Sequence, residues 1–198
     1  MIKYGSSMMS KEIQIEKQLQ RAMAKKARES LTAAERTEYS RLVCEKLIAH
    51  PALSSASVIL SYMAFGSELD LSALHEEMIK KGKTLAFPVP YGDGRMEAYQ
   101  PCTPEGWTVG VFGIQTPRED ASLYIPPEII DVVLVPCVAF DDACRRIGWG
   151  GGYYDRYLPR CRQAFTIGVA FEIQRLGSAA ADPTRDVRLN EVITERRS

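Results

Sequence analysis

Residues 131–156 read DVVLVPCVAFDDACRRIGWGGGYYDR and carry the strongest structural pattern in the chain. Within this stretch, residues 132–140 form a nearly uninterrupted apolar run that is rich in valine. Such a run is typical of a strand that is buried on both faces of a parallel sheet. A buried strand must end at an edge of its layer, so the residues after Phe140 are predicted to lie at that edge.

A glycine-rich loop follows the predicted strand. Four of five consecutive positions are glycine, namely Gly148, Gly150, Gly151 and Gly152. Glycine removes the side chains that keep a backbone away from a ligand and tolerates positive φ, so the N–H groups of this loop can converge on an anion. Arg145 and Arg146 can donate paired hydrogen bonds to phosphate oxygens. A short helix is predicted from Tyr153 to near Pro159, with its dipole behind the loop.

The loop is therefore predicted to bind a polyphosphate. Asp155 is a candidate ligand for Mg²⁺, which usually reaches a protein through one or two carboxylates plus substrate phosphates. The motif is not a Walker A loop, because no Gly-Lys-Ser/Thr follows, and Tyr153 occupies the position where a dinucleotide fingerprint needs its third glycine. On composition alone, a glycine-rich turn packed by aromatic side chains is the alternative.

Size and composition limit the class of protein. A chain of 198 residues with 45% hydrophobic content can bury one substantial core. We expect a single domain over residues 11–198, with residues 1–10 as a disordered leader or a non-native extension. The formal net charge is zero, so no global field attracts nucleic acid or an anionic membrane.

The compartment is predicted from what the sequence lacks. No apolar run approaches the roughly 20 residues that span a bilayer, and the first ten residues have no signal-peptide core. The five cysteines are scattered without a CxxC pair, which argues against a disulfide framework or a zinc site. We expect a cytoplasmic monomer that has no nucleic-acid or membrane partner.

Alternating strand and helix patterns predict a three-layer α/β/α fold with a mainly parallel, Rossmann-like sheet. Helices are predicted over residues 11–30, from a T-x-x-E capping box at residues 32–35 to residue 50, and over residues 70–81. Strands are predicted over residues 57–63, 84–90, 96–99 and 164–171.

Two stripes run along the first predicted helix. Its apolar positions Ile15, Leu19, Ala22 and Met23 fall on one side. Its basic positions form a second stripe of Lys17, Arg21, Lys25 and Arg28. Such a basic stripe is usually a solvated helix face, and the apolar side is then expected to face the core.

Residues 146–156, RIGWGGGYYDR, closely resemble the signature of the 5-formyltetrahydrofolate cyclo-ligase family. The resemblance extends over about residues 17–195, and the GxGxGYYD core is specific to that family. It implies an ATP-dependent conversion of 5-formyltetrahydrofolate to 5,10-methenyltetrahydrofolate, with release of ADP and phosphate. The expected intermediate is a phosphorylated formyl group, an iminophosphate.

The resemblance also implies site residues. Those expected to bind ATP are Lys17, Arg21, Arg146, Gly148, Trp149, Gly150, Gly151, Gly152, Tyr153 and Tyr154. Those expected to bind the folate are Met63, Glu68, Trp149, Gly150, Gly151, Gly152 and Tyr153. Asp155 and Asp186 are expected to bind Mg²⁺, and Arg146, Tyr153 and Asp155 to act in catalysis.

Some positions depart from the family pattern. Residues 112–114 resemble a segment that walls the pterin side of the pocket, but Thr116 stands where an acid is usual. Asn190 stands where an aspartate is more usual, and Cys137 and Cys144 replace family glycines. These changes would alter the local backbone or the substrate contacts without changing the type of reaction.

Two other classes of function stay open on the sequence. One is a sugar-phosphate isomerase or acyl-CoA transferase, in which Glu68 would be the catalytic acid or base and ATP would be irrelevant. The other is a non-catalytic folate- or nucleotide-binding protein that kept the pocket. Turnover that requires both a reduced folate and ATP would separate these classes from a cyclo-ligase.

Overall fold

The computed structural model describes residues 3–196, with side chains described from residue 11 onward apart from that of Phe112. Its helices are α1 (Lys3–Glu29), α2 (Ala33–Ala49), α3 (Pro51–Ser55), α4 (Ser72–Lys80) and α5 (Tyr153–Tyr157). Its strands are β1 (Val58–Leu60), β2 (Thr84–Pro90), β3 (Met96–Pro101), β4 (Trp107–Val109), β5 (Gln115–Pro117), β6 (Ser122–Ile125), β7 (Val132–Pro136), β8 (Ala139–Phe140), β9 (Arg146–Ile147), β10 (Phe165–Val169) and β11 (Glu191–Ile193).

The central sheet has the order β11-β10-β7-β1-β2-β3-β6. The strands from β11 to β2 pair in parallel, whereas β3 and β6 add an antiparallel edge. Helices α2, α3 and α4 pack on one face, and α5 packs on the other. The predicted three-layer fold with a mainly parallel sheet is confirmed.

Strand β7 explains the valine-rich run. Val132 and Leu134 belong to the core under α2 and α4, and Val133 and Val135 belong to the core under α5. Successive side chains of a strand point to opposite faces, so a strand covered on both sides needs apolar residues at every position. The run nevertheless divides at Pro136, after which β8 leaves the sheet and pairs with β9 in an antiparallel hairpin.

Helix α1 exposes the apolar stripe that its spacing predicted to face the core. Ile15, Leu19 and Met23 are 58%, 56% and 67% exposed, while Lys17 and Arg28 are buried. The surface beneath the helix consists largely of loops with polar backbone groups. Gln20, for example, accepts a hydrogen bond from Ala180 N and donates one to Ser178 O. Polar side chains therefore suit this interface better than apolar ones.

The N-terminal boundary of α1 also differs. The backbone is helical from Lys3, whereas we expected the helix to begin at residue 11. No proline precedes residue 11, so nothing in the sequence breaks the ladder of backbone hydrogen bonds. That residues 1–10 form a leader outside the domain stays a prediction, and Met1 and Ile2 lie outside the described residues.

Other elements differ more locally. The T-x-x-E capping box of α2 is confirmed, with Thr32 and Glu35 exchanging hydrogen bonds. Strand β1 is only three residues long, because the chain beyond Leu60 turns to line a cavity. The apolar spacing of residues 71, 74, 78 and 79 predicts that Ile79 faces the core from α4, but Ile79 is 64% exposed. Within residues 3–196, no helix combines the length and the apolar composition needed to cross a bilayer.

Candidate active site

The candidate site lies where the chain changes direction in the sheet. From β1 the chain continues through α4 to β2 on one side, whereas β7 lies on the other side of β1. The loops that leave the carboxyl ends of β1 and β7 therefore face each other across a crevice, which is where open α/β sheets bind ligands. A hydrogen bond of 2.7 Å from Trp149 Nε1 to Glu68 Oε1 joins these two loops.

A cavity of about 1050 Å³ occupies the crevice. The residues that the family resemblance implied for the site all line it, namely Lys17, Arg21, Met63, Glu68, Arg146, Gly148, Trp149, Gly150, Gly151, Gly152, Tyr153, Tyr154, Asp155 and Asp186. Arg145, also expected to bind phosphate, does not line the cavity and pairs with Asp141 instead. The structure thus brings residues from α1, two loops and α5 together, although their individual roles stay predictions.

The glycine-rich loop has a conformation that needs glycine. Gly150 and Gly152 have φ angles of 103° and 67°, in the left-handed region that other residues rarely adopt. A Cβ atom on Gly151 would lie 2.7 Å from the ring of Tyr153. The backbone is therefore bare along the cavity, as the sequence predicted.

Helix α5 contributes less than expected. It spans only Tyr153–Tyr157, so few peptide dipoles are aligned behind the loop. Binding of an anion would depend mainly on the loop N–H groups and on the basic side chains around them.

Helix α1 supplies two of these basic side chains. Arg21 Nε donates a hydrogen bond of 2.7 Å to Gly148 O, which holds its guanidinium against the loop. Lys17 Nζ lies 2.7 Å from Asp186 Oδ1, and both side chains are largely buried. Lys17 and Arg21 of the basic stripe therefore face the cavity, where they pair with a carboxylate and a carbonyl.

Arg146 is buried on β9 rather than in the flexible part of the loop. Its Nη2 donates to Asp155 Oδ1 at 2.8 Å, and its guanidinium carbon lies 5.7 Å from the ring centroid of Tyr154. Among the described residues, neither Arg146 Nε nor the Tyr154 hydroxyl has a hydrogen-bond partner, although both atoms are buried. Unpaired buried polar groups cost free energy, and a bound ligand could satisfy them.

Two carboxylates face the same cavity. Asp155 Oδ1 also accepts the backbone N–H of Val187 at 3.1 Å, and Asp186 Oδ2 accepts that of Asp182 at 2.6 Å. Within the described part of the chain, no three His, Cys, Asp or Glu side chains cluster closely enough to hold a metal ion by themselves. The donor set fits Mg²⁺ only if phosphate oxygens and water complete its coordination, which is its usual mode of binding.

Met63 and Glu68 line the cavity beside the glycine-rich loop. Met63 is half-buried, and the Glu68 carboxylate accepts hydrogen bonds from Trp149 and from Phe65 N. Burial raises the pKa of Glu68, although both hydrogen bonds oppose this shift. Tyr153 Oη donates to Tyr91 O at 2.9 Å and fastens the β2–β3 turn to the glycine-rich loop.

Several cavity residues were not predicted from the sequence. Pro88 and Pro90 alternate along β2 and point to the cavity, a spacing that could have indicated a shared face. Arg156 donates to Gly94 O and Gly151 O, and Thr116 is a buried wall residue. Ile114 lines the cavity as expected, whereas the side chain of Phe112 lies outside the described residues.

Fold and site together define an α/β protein whose binding cavity lies at the carboxyl ends of its parallel strands. The model of the 5-formyltetrahydrofolate cyclo-ligase family matches residues 13–195, so the chain belongs to this family. It is similar to the 5-formyltetrahydrofolate cyclo-ligase of Escherichia coli K12, with 27% identity over 87% of this chain and 96% of the relative. The enzyme of that name from Mus musculus is 27% identical over 88% and 91% of the two chains.

Solved structures agree with this assignment. The 5,10-methenyltetrahydrofolate synthetase of Aquifex aeolicus superposes with a TM-score of 0.80 and 31% identity, covering 91% of this chain and 90% of that one. The synthetase of Mycoplasma pneumoniae gives a TM-score of 0.75 and 25% identity over 91% and 99%. Family and relatives together support 5-formyltetrahydrofolate cyclo-ligase activity and identify the chain as an enzyme of this kind.

Proposed function

We propose that the enzyme converts 5-formyltetrahydrofolate to 5,10-methenyltetrahydrofolate and cleaves ATP to ADP and phosphate. The observation that carries this proposal is that one cavity is lined both by a bare glycine-rich loop with basic side chains and by Met63 and Glu68. We place the triphosphate against the glycine-rich loop, Lys17, Arg21 and Arg146, which we call the phosphate end. We place the pterin against Met63 and Glu68, which we call the folate end.

The reaction explains why the two ends must meet. Ring closure from N10 removes the formyl oxygen, which leaves poorly as hydroxide. In the proposed sequence the formyl oxygen attacks the γ-phosphorus and ADP leaves, which forms an iminophosphate. N10 then attacks the imidate carbon and loses its proton, and the oxygen departs as phosphate. Such a transfer needs alignment and charge stabilisation more than a nucleophilic side chain.

The two ion pairs of the cavity support this role. Lys17 is paired with Asp186, and Arg146 with Asp155. On binding of ATP, the two cations would contact phosphate oxygens, which are stronger acceptors. The pairs thus keep two buried cations compensated by half-buried carboxylates while no ligand is bound, since an unpaired buried charge would be costly.

Asp155 and Asp186 are the residues that would hold Mg²⁺. When bound, the ion would neutralise negative charge on the phosphate oxygens beside these carboxylates. Both aspartates could bind the ion, because Arg146 and Lys17 would then contact the phosphates. The oxygens of Asp155 and Asp186 would be left without a cation.

No general base is required by this scheme. His50 lies beside Glu191, and His75 is hydrogen-bonded to Ser61, so neither histidine of the described chain lines the cavity. The Tyr153 hydroxyl, the loop amides and Arg146 would stabilise charge on the transferred phosphoryl group. We also propose that the enzyme acts as a cytoplasmic monomer, as its composition predicts.

The test combines purified protein, 5-formyltetrahydrofolate, Mg²⁺ and ATP, and follows methenyl absorbance together with ADP. We expect product only when ATP and Mg²⁺ are both present, with one ADP formed for each methenyl product. Folate binding without turnover would instead indicate a sequestering protein. Inertness toward folate would favour the isomerase or transferase class.

A further inference from the structure

Arg28 is a buried cation whose position is not explained by phosphate binding. It lies on α1, one turn or more beyond Arg21, and is only 2% exposed. Its Nε donates a hydrogen bond of 3.0 Å to Ser67 Oγ, in the loop that follows β1. Its guanidinium carbon lies 5.3 Å from the ring centroid of Trp149. Arg28 therefore contacts both loops that border the folate end of the cavity.

Trp149 depends on such polar contacts for its position. Its side chain lies at the tip of the glycine-rich loop and is 46% exposed, so core packing does not hold it. The ring lies over Arg28, and its Nε1 donates to Glu68 Oε1 at 2.7 Å. An indole between a cation and a carboxylate is held by a cation–π contact at its face and a hydrogen bond at its edge.

If Arg28 only stabilised the fold, it would be expected to form an ion pair with a carboxylate. Buried arginines are normally paired with carboxylates, because desolvation of an unpaired charge is costly. In the part of the chain that the structure describes, no carboxylate forms an ion pair with Arg28 within 4.0 Å, and burial lowers the pKa of its guanidinium. Glu68 nevertheless acts on Arg28 electrostatically at longer range, with smaller contributions from Glu29 and Tyr62. Glu68 is thus the largest electrostatic partner of Arg28.

We propose that Arg28 is a positioning residue for the folate end of the site: it fixes the Trp149 ring and stabilises the Glu68 carboxylate that would receive the N–H groups of a pterin. This inference rests on the proposed function. It assigns Arg28 no contact with either substrate.

The positioning role of Arg28 has a measurable consequence, which is its effect on the pKa of Glu68. The titratable groups that act on Glu68 or feel its charge are Arg28, Tyr62, Cys137 and Tyr154. Burial raises the pKa of Tyr62 and Tyr154, and that of Cys137 to about 12, so these three are neutral at working pH. Arg28 is the cation of the set, and it opposes the rise that burial imposes on the pKa of Glu68.

The first test needs no substrate. In a Trp107→Phe background, Trp149 fluorescence is followed during a pH titration, because its indole N–H is bonded to Glu68. We expect Arg28→Gln to move the midpoint to higher pH, and Arg28→Lys to move it much less. Lys25→Gln is the matched control, since Lys25 Nζ also lies over the ring, at 5.9 Å, but is exposed. An unchanged midpoint in Arg28→Gln would overturn the proposal.

The second test separates the two substrates. For Arg28→Gln we expect the KM for 5-formyltetrahydrofolate to rise about tenfold, as for the loss of one charge-assisted contact, and the KM for ATP to rise much less. Ser67→Ala removes the hydrogen bond to Arg28 but no charge, so it should raise the KM for the folate a few-fold. If Arg28→Gln does not fold, Ser67→Ala tests the positioning role of Arg28 in its place. Equal rises in both KM values, or an unchanged folate KM in Ser67→Ala, would contradict the assignment. A protein inactive toward folate would refute the proposed function, whereas the fluorescence titration would still test Arg28.

Discussion

At the scale of single residues, Asp155 has three contacts that can be separated by experiment. It accepts hydrogen bonds from Arg146 and from Val187 N, and it faces the cavity where phosphate and Mg²⁺ would bind. Asparagine keeps an oxygen that can accept the Val187 N–H, but it removes the negative charge. This substitution therefore tests the proposed metal contact with little change in local geometry.

We predict that Asp155→Asn lowers kcat by about 100-fold or more, the scale on which loss of one preorganised charge affects transition-state stabilisation. The circular dichroism spectrum should stay unchanged. Asp120→Asn is the control, because Asp120 is exposed and paired with Arg118 outside the main cavity. If Asp155→Asn keeps full Mg²⁺-dependent turnover, Asp155 does not bind the metal.

Residue types at the site could be predicted, but their partners could not. The glycines, Arg146 and Asp155 lie within eleven consecutive residues that resemble a family signature, so their grouping is local in sequence. Lys17 and Asp186 are 169 positions apart. Only the tertiary structure brings such distant charges within 2.7 Å, since sequence spacing carries no information on which carboxylate a lysine meets.

At the scale of secondary structure, α1 shows that the period of a helical pattern does not fix which side is buried. The helix packs against β8, β9 and their neighbours through Ala24, which belongs to a small core cluster with Val138 and Ile147. Its polar side chains form hydrogen bonds with backbone groups of the adjacent loops. The apolar stripe is left exposed because the polar face has the better partners.

A pair of α1 variants tests this orientation. We predict that Leu19→Gln changes the free energy of unfolding by less than about 0.5 kcal/mol, as expected for a surface position. Ala24→Gln should destabilise the protein by roughly 1–3 kcal/mol, because it forces a larger polar side chain into a packed cluster. Urea denaturation of both variants provides the measurement. Greater destabilisation by Leu19→Gln would mean that the apolar stripe is buried after all.

Helix α4 is coupled to β1 through a histidine. His75 is buried, contacts the Phe87 ring edge-on at 5.1 Å, and its Nε2 lies 2.7 Å from Ser61 Oγ. Burial lowers the pKa of His75 to about 4, from its usual value near 6.5. The neutral imidazole is therefore the form that the folded state accommodates.

This shift predicts a pH dependence of stability. Because the unfolded chain takes up a proton at His75 before the folded chain does, stability should fall as the pH drops from 6.5 to about 4, by up to roughly 3 kcal/mol. His75→Gln can keep a hydrogen bond to Ser61 without titrating, so its stability should vary less across this window. Urea midpoints at pH 7.5 and pH 5 measure the effect. An equal loss in both proteins would rule out His75 as the cause.

Elements with local signals were predicted better than those that depend on distant partners. The β2–β3 hairpin follows from Gly92, Asp93 and Gly94, and the start of α2 follows from its capping box. Strand β6 has no such local signal, because Pro126 and Pro127 follow it and its partner β3 is more than twenty residues away. The strand conformation of β6 is stabilised by its pairing with β3 rather than by its own sequence.

At the scale of the whole molecule, the order of strands creates the site. Because β2 and β7 lie on opposite sides of β1, the loops that follow β1 and β7 open a crevice, and α1 contributes Lys17 and Arg21 to its lining. Alternation of strands and helices predicted the layers but not the antiparallel edge. The cavity follows from this topology, so its position could be expected from the fold class, whereas its wall at Thr116 could not.

The central claim is that the formyl oxygen leaves as phosphate. The direct measurement uses 5-formyltetrahydrofolate labelled with ¹⁸O in the formyl group, with unlabelled ATP and water, and analyses the released phosphate by mass spectrometry. We predict one ¹⁸O atom in each phosphate that accompanies a methenyl product. Recovery of the label in water, with unlabelled phosphate, would show that the oxygen is not phosphorylated and would contradict the account.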